Sequence, residues 1–161
     1  MSWIIRELRI EDNRAIALVI RKSLEEHGVA RPGTVYTDPT TDDLFKLFQT
    51  QGSAYFIGEE SGEILGGCGV YPTVGLPSEC GELVKLYVSS DARGKGIGQA
   101  LMERSAQAAR ELGYQQLYLE TLPELAKAVS LYERSGYINL DKPLGESGHF
   151  ACTIWMIKDL K

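Results

Sequence analysis

Six residues, Arg93-Gly94-Lys95-Gly96-Ile97-Gly98, constrain this chain more than any others. They follow a strand-like run, Leu83 to Val88, in which Leu86 and Val88 share one face and Tyr87 takes the other. They lead into a helical pattern carried by Ile97, Leu101, Ala108 and Leu112 and stopped by Gly113. Three glycines at alternate positions strip the turn of side chains. Backbone N–H groups are then free to converge on an anion at the helix N-terminus, where the helix dipole also favours negative charge. Arg93 and Lys95 bring cations to the same place. Such a turn is suited to a phosphate or pyrophosphate.

Three phosphate-binding patterns compete for it. The P-loop sequence Gly-x-x-x-x-Gly-Lys-Ser/Thr is absent. A dinucleotide fingerprint begun at Gly94 and Gly96 needs its third glycine at position 99, where Gln99 stands. Glu120, ending the next apolar run, does resemble a ribose-binding acid, so a dinucleotide enzyme stays as a minor alternative. The third pattern, Arg/Gln-x-x-Gly-x-Gly/Ala, is met without a gap by Arg93, Gly96 and Gly98.

Beyond the turn, Tyr114 to Glu120 reads as a strand, and Pro123 to Ser135 as a helix with Pro123 at an early position. With these segments in view the chain resembles the GNAT superfamily of acyl-CoA N-acyltransferases. The matching pieces are Glu82-Leu-Val-Lys-Leu-Tyr-Val88, the turn Arg93 to Gly98, and Ala128-Val-Ser-Leu-Tyr-Glu-Arg-Ser-Gly-Tyr137. The flanking segments fit more loosely.

The resemblance implies an α/β fold, a mixed and mostly antiparallel sheet of six to seven strands flanked by about four helices. It implies direct acetyl transfer from acetyl-CoA to a primary amine, a small molecule or a peptide amine, in a ternary complex. The backbone of Arg93, Gly94, Lys95, Gly96, Ile97, Gly98 and Gln99 would hold the coenzyme's pyrophosphate. Leu86, Tyr87 and Val88 would pair with its pantetheine arm as an added strand does, in a gap between strands 82–88 and 114–120. Glu82 matches the family's frequent general base and Tyr132 the tyrosine that protonates the departing thiolate. Tyr36, Asp38 and Phe45 fall where the family walls its acceptor site. One departure stands out. Many relatives carry an Asn after the strand ending at 120, where this chain has Thr121-Leu122-Pro123. A non-catalytic acyl-CoA sensor on the same fold is the second functional class, because fold alone does not fix function.

The rest of the chain is read from its residues. At 161 residues and 43% hydrophobic content a single domain over 1–161 with a proper core is expected. A net charge of −5, with Lys and Arg scattered except beside the turn, argues against a nucleic-acid surface. No run is long and apolar enough for a membrane helix, and the N-terminus lacks a signal-peptide layout. Cys68, Cys80 and Cys152 are odd in number and lack metal spacing, so they read as free thiols in a reducing cytoplasm, and no metal is expected. A homodimer is left open, since edge strands of the resembled fold often pair between subunits.

Trp3 to Leu8 reads as a strand and Asn13 to His27 as a helix ended by Gly28, with His27 as a surface or capping residue. Val29 to Thr41 reads as a loop, and Leu44 to Thr50 as a short helix. Ser53 to Glu59 and Ile64 to Tyr71 form a hairpin about Glu60-Ser-Gly-Glu63, and Gly66, Gly67 and Gly69 suggest a bulge or a close backbone approach. Tyr137 to Leu140 and Phe150 to Ile157 read as the last strands, the second sheltered on both faces. His149, in the loop before it, can orient substrate or act as base, or simply satisfy a loop hydrogen bond. Lys127 and Arg134 read as a solvated helix face that can also meet the coenzyme's phosphates, and the cysteines read as structural rather than acyl carriers.

Overall fold

A computed structural model describes residues 2–161. In chain order the elements are β1 (Trp3–Glu7), α1 (Asn13–Glu26), α2 (Leu44–Leu47), β2 (Ala54–Glu60), β3 (Glu63–Tyr71), β4 (Cys80–Val88), α3 (Ile97–Glu111), β5 (Gln116–Thr121), α4 (Ala126–Arg134), β6 (Ile138–Leu140) and β7 (Ile154–Asp159). The strands form one seven-stranded sheet in the order β1-β2-β3-β4-β5-β7-β6. Every neighbouring pair is antiparallel except β4 and β5. The expected mixed, mostly antiparallel α/β architecture with four helices is what the chain adopts.

Each face of the sheet covers its own apolar cluster. On one, α3 packs Ile97, Leu101, Met102, Ala108 and Ala109 against Phe56, Leu83, Leu117, Leu119 and Met156. On the other, α1 packs Ile16, Ile20 and Leu24 against Tyr55, Ile57, Leu44 and Phe48. Each fully buried Leu or Ile contributes ~1.5–3 kcal/mol relative to exposure. Of the residues whose spacing predicted α3, Ile97, Leu101 and Ala108 face the sheet, whereas Leu112 caps the helix and is exposed.

Two features break the regularity of the sheet, and both bear on function. First, β4 pairs with β5 only through Cys80↔Gln116, Gly81↔Leu117 and Glu82↔Tyr118. Beyond Glu82 the two strands part, and the rest of β5 pairs with β7 alone. Second, the β3–β4 register jumps from Gly67↔Tyr87 to Gly69↔Val84, so β4 carries one residue more than β3 there. This is the bulge that the β3 glycines suggested. Gly69 has no room for a side chain, since a Cβ would sit 2.4 Å from the Ala54 carbonyl oxygen.

Several boundaries differ from expectation. The helix expected from Pro123 starts at Ala126, because Leu125 has ψ 53° and its N–H closes a turn on the Leu122 carbonyl. The strand expected from Phe150 starts at Ile154. Ala151 N–H donates to Gly33 O and Cys152 N–H to His149 O, so these amides are spent on loop partners; Phe150 is exposed. Helix α2 stops at Leu47, and the loop before it winds into two short 3-10 turns, Val35–Thr37 and Pro39–Asp42.

Candidate active site

The parting of β4 from β5 opens a cleft with two chambers. The larger, about 290 Å³, is lined by Leu86 to Val88, by the turn from Ala92 to Gln99 and by one side of α4. The smaller, about 50 Å³, lies nearer the end of the β4–β5 pairing, and Glu82, Lys85, Glu120, Tyr132, His149 and Cys152 are among its walls. Leu86, Tyr87, Leu125 and Ala128 line both chambers, so the two meet along the open edge of β4.

At the mouth of the larger chamber the turn takes the form its glycines foretold. Gly94 and Gly96 have φ of 84° and 83°, a left-handed conformation that side-chain-bearing residues avoid. Among the described residues no acceptor takes the backbone N–H of residues 94 to 99, while Ala100 N–H is the first to close on the helix, at Gly96 O. These unclaimed donors stand at the start of a 15-residue helix, an arrangement suited to an anion. The cations behave differently from expectation. The Arg93 guanidinium donates to Val88 O at 3.1 Å, Ser23 Oγ at 3.3 Å and Glu26 at 3.2 Å, tying the turn to β4 and α1. Lys95 reaches toward Glu60 at 3.6 Å. Lys127 and Arg134 line the chamber alongside Arg93, and His27, which also lines it, has Nδ1 2.7 Å from the Ser23 carbonyl oxygen.

The smaller chamber gathers buried charge. Glu82 is 3% exposed and accepts a hydrogen bond from Thr73 Oγ1. Burial pushes its carboxyl up to about 7; Glu120 adds to the rise, while Thr73, His149 and Lys85 oppose it. Although Glu82 stands near the start of β4, its side chain is enclosed. Glu120 accepts from the Tyr118 hydroxyl at 2.6 Å and from Ser147 Oγ. Tyr132, on α4, is 6% exposed, and burial holds its phenol well above the ordinary value, so it is protonated at neutral pH. The Tyr132 ring packs edge-on against Tyr137 at 5.8 Å.

Two loops close over this chamber. His149 Nε2 lies 2.9 Å from Asp38 Oδ2, and Asp38 Oδ1 accepts from both the amide and the hydroxyl of Thr40. His149 is the strongest influence holding the Asp38 carboxyl well below the usual range. Lys85 Nζ stands 3.8 Å from the same Asp38 oxygen.

The structure therefore brings Glu82, Tyr132 and His149 to one cavity, with Asp38 behind His149. It leaves Tyr36 and Phe45 off both chamber walls. The Tyr36 hydroxyl is spent on Glu25 at 2.6 Å, and the Phe45 amide on Asn13. Lys85 is a chamber residue not singled out from the sequence, and Glu120, read there as resembling a ribose-binding acid, lines this chamber instead. A lone lysine inside the apolar run Leu83 to Val88 was the available signal. The thiols stay protonated: burial pushes Cys68 and Cys152 up to about 12 and Cys80 to about 11.

A split parallel pair, a glycine-rich turn at its mouth and a buried acid and phenol within it form one continuous cleft. The profile of the acetyltransferase (GNAT) family matches residues 19–137. The uncharacterised N-acetyltransferase YjgM of Escherichia coli K12 is 39% identical over 160 residues, covering 99% of this chain and 96% of that protein. A GNAT-family acetyltransferase of Staphylococcus aureus Mu50 shares the fold with a TM-score of 0.87 at 17% identity, over 99% of this chain and 100% of that one. The PaiA N-acetyltransferase of Thermoplasma acidophilum, solved in complex with coenzyme A, superposes with a TM-score of 0.77 at 18% identity, over 99% of each chain. The chain belongs to the acetyltransferase (GNAT) family.

Proposed function

We propose that this protein, as one catalytic domain over 1–161, transfers the acetyl group of acetyl-CoA directly to a primary amine in the cleft between β4 and β5. The observation that carries the reading is the continuity of the two chambers: the anion cradle opens into the cavity that holds Glu82 and Tyr132. The crystallisation of a structural neighbour with coenzyme A supports the choice of donor. The free amides of residues 94 to 99 fit a pyrophosphate, and the β5-facing edge of β4 from Leu86 to Val88, left open while its other edge pairs with β3, fits the amide-bearing pantetheine arm.

The chemistry then follows from the walls. A protonated amine is drawn by the carboxylates of Glu82 and Glu120. Glu82, with its carboxyl near 7, takes a proton from the ammonium directly or through one water, and the free amine attacks the thioester carbonyl. The new C–N bond forms as the C–S bond breaks. Tyr132 donates its phenolic proton to the departing sulfur. The proton that the nitrogen sheds as the amide forms returns to the phenolate, which burial keeps strongly basic, so the step ends with neutral thiol, neutral phenol and neutral amide. His149 faces the same cavity and is the alternative base. A non-catalytic sensor is the weaker reading, because it leaves Glu82 and Tyr132, both buried in one chamber, without a purpose.

The test is release of free CoA thiol from acetyl-CoA across a panel of primary amines. Turnover with at least one amine is expected; tight acetyl-CoA binding with no turnover on any would favour the sensor.

A further inference from the structure

Lys85 occupies an unusual place. It falls within the β4 bulge, between the pairs Gly67↔Tyr87 and Gly69↔Val84. Its φ is 54°, in the left-handed region that side-chain-bearing residues avoid, a strain that persists only where surrounding structure imposes it. Its neighbours Leu83 and Leu86 pack into one core, and Val84 and Tyr87 into the other. The side chain of the extra residue belongs to neither core and lines the smaller chamber.

The ammonium there is under-satisfied. The Lys85 side chain is 4% exposed, yet among the described residues none hydrogen-bonds to Nζ. Its nearest acid, Asp38, stands at 3.8 Å and already serves His149 and Thr40. An enclosed cation with idle donors is costly unless an anion joins it. The same chamber presents the carboxylates Glu82 and Glu120, which suit an ammonium. With only about 50 Å³ between these walls, a ligand meeting both must carry its opposite charges close together.

Resting on the acetyl-transfer reading, we infer that the acceptor is a small zwitterion, an α-amino acid or close analogue, whose carboxylate is held by Lys85 while its amine faces Glu82. Lys85 is then a specificity residue: it makes a charge-assisted contact to the acceptor and takes no part in the proton transfers. A site built to pair a carboxylate rejects the neutral analogue strongly, because the buried cation is left alone.

The experiment uses matched pairs, each common α-amino acid against its amide, with acetyl-CoA saturating. The wild type should favour acids over their amides by at least about tenfold in kcat/KM, and Lys85→Met should bring that ratio close to one mainly by raising KM. Lys85→Arg should retain part of the preference. An absent preference, or one that survives Lys85→Met, would overturn the inference and leave acetyl transfer to amines intact. A second readout needs neither turnover nor a folded variant. N-acetylglycine, N-acetylleucine and N-acetylglutamine, each beside its amide, are titrated into CoA-saturated wild-type protein. Binding of acids at least about tenfold tighter than amides supports Lys85 as anchor; equal affinity, or no binding of any acid, contradicts it. Failure to bind acetyl-CoA at all would instead defeat the underlying reading, and this one with it.

Discussion

His149 Nε2 meets Asp38 Oδ2 at 2.9 Å, joining two loops whose residues are 111 positions apart in the chain. The contact is reinforced by Ala151 N–H donating to Gly33 O at 3.0 Å, and together they strap the loop before α2 to the loop before β7. The strap covers the smaller chamber and leaves the glycine cradle untouched. His149→Ala and Asp38→Asn should therefore raise KM for the acceptor severalfold while acetyl-CoA affinity, measured by titration, stays within about twofold. Equal losses for both substrates would make the strap a general fold element.

The strap also has a pH signature. The Asp38 carboxyl is lowered in the folded state from 3.8, so its contribution to stability is present above that pH and is lost as pH falls through the folded value. The difference in thermal midpoint between wild type and Asp38→Asn should be largest above about pH 4 and shrink below it. A difference independent of pH would assign the loss to packing.

Glu82 gives the opposite sign. Its folded value, about 7, lies above the ordinary 4.5, so its contribution to stability falls as pH rises from about 4.5 to about 7 and is flat beyond. Glu82→Gln should be more stable than wild type above pH 7, with the gap narrowing in acid. In activity the same group should produce an acidic limb in kcat/KM with an inflection near 7. The variant should lose that inflection and at least about a hundredfold in rate. An inflection that stays in place would move the base role to His149 or to water.

Tyr132→Phe keeps the ring that packs on Tyr137 and removes only the proton donor. Turnover should fall by roughly a hundredfold or more with little change in acetyl-CoA affinity. A matched fall in both would make Tyr132 a packing residue.

How much of this could be read from the chain depends on the distance over which each feature is decided. The glycine turn, helix α3 and Tyr132 on α4 were legible, because spacing within about fifteen residues fixes them. The splitting of β4 from β5 was inferred only through the family resemblance, since no local pattern says that a parallel pairing stops at Glu82. Lys85 escaped for a related reason. Its direction is set by a register shift against β3, and simple alternation sends it elsewhere. Phe150 to Thr153 alternates like a strand, yet its amides find Gly33 and His149 first. Arg93 and Lys95 stand next to the cradle in sequence, but acids on α1 and β2 claim them in space.

That last point carries its own prediction. Arg93 fixes the turn through Val88, Ser23 and Glu26, whereas Lys95 makes one long, half-exposed ion pair. Arg93→Ala should weaken acetyl-CoA binding about tenfold or more through a loosened turn, and Lys95→Ala should change it by less than about threefold. The reverse order, read by titration, would return the direct charge contact to Lys95.

The most direct measurement is calorimetric titration of acetyl-CoA, with NAD as control, into wild type, Gly96→Ala and Gly96→Asp. A side chain at Gly96 meets nothing within 4 Å, so the alanine variant isolates the strain of a positive φ, and aspartate adds a negative charge facing the cradle. Wild type should bind acetyl-CoA and not NAD, and Gly96→Asp should bind at least about tenfold more weakly than Gly96→Ala, a further 1.4 kcal/mol. Acetyl-CoA affinity equal in the two variants, or no binding by folded wild type, would contradict a coenzyme pyrophosphate on this turn.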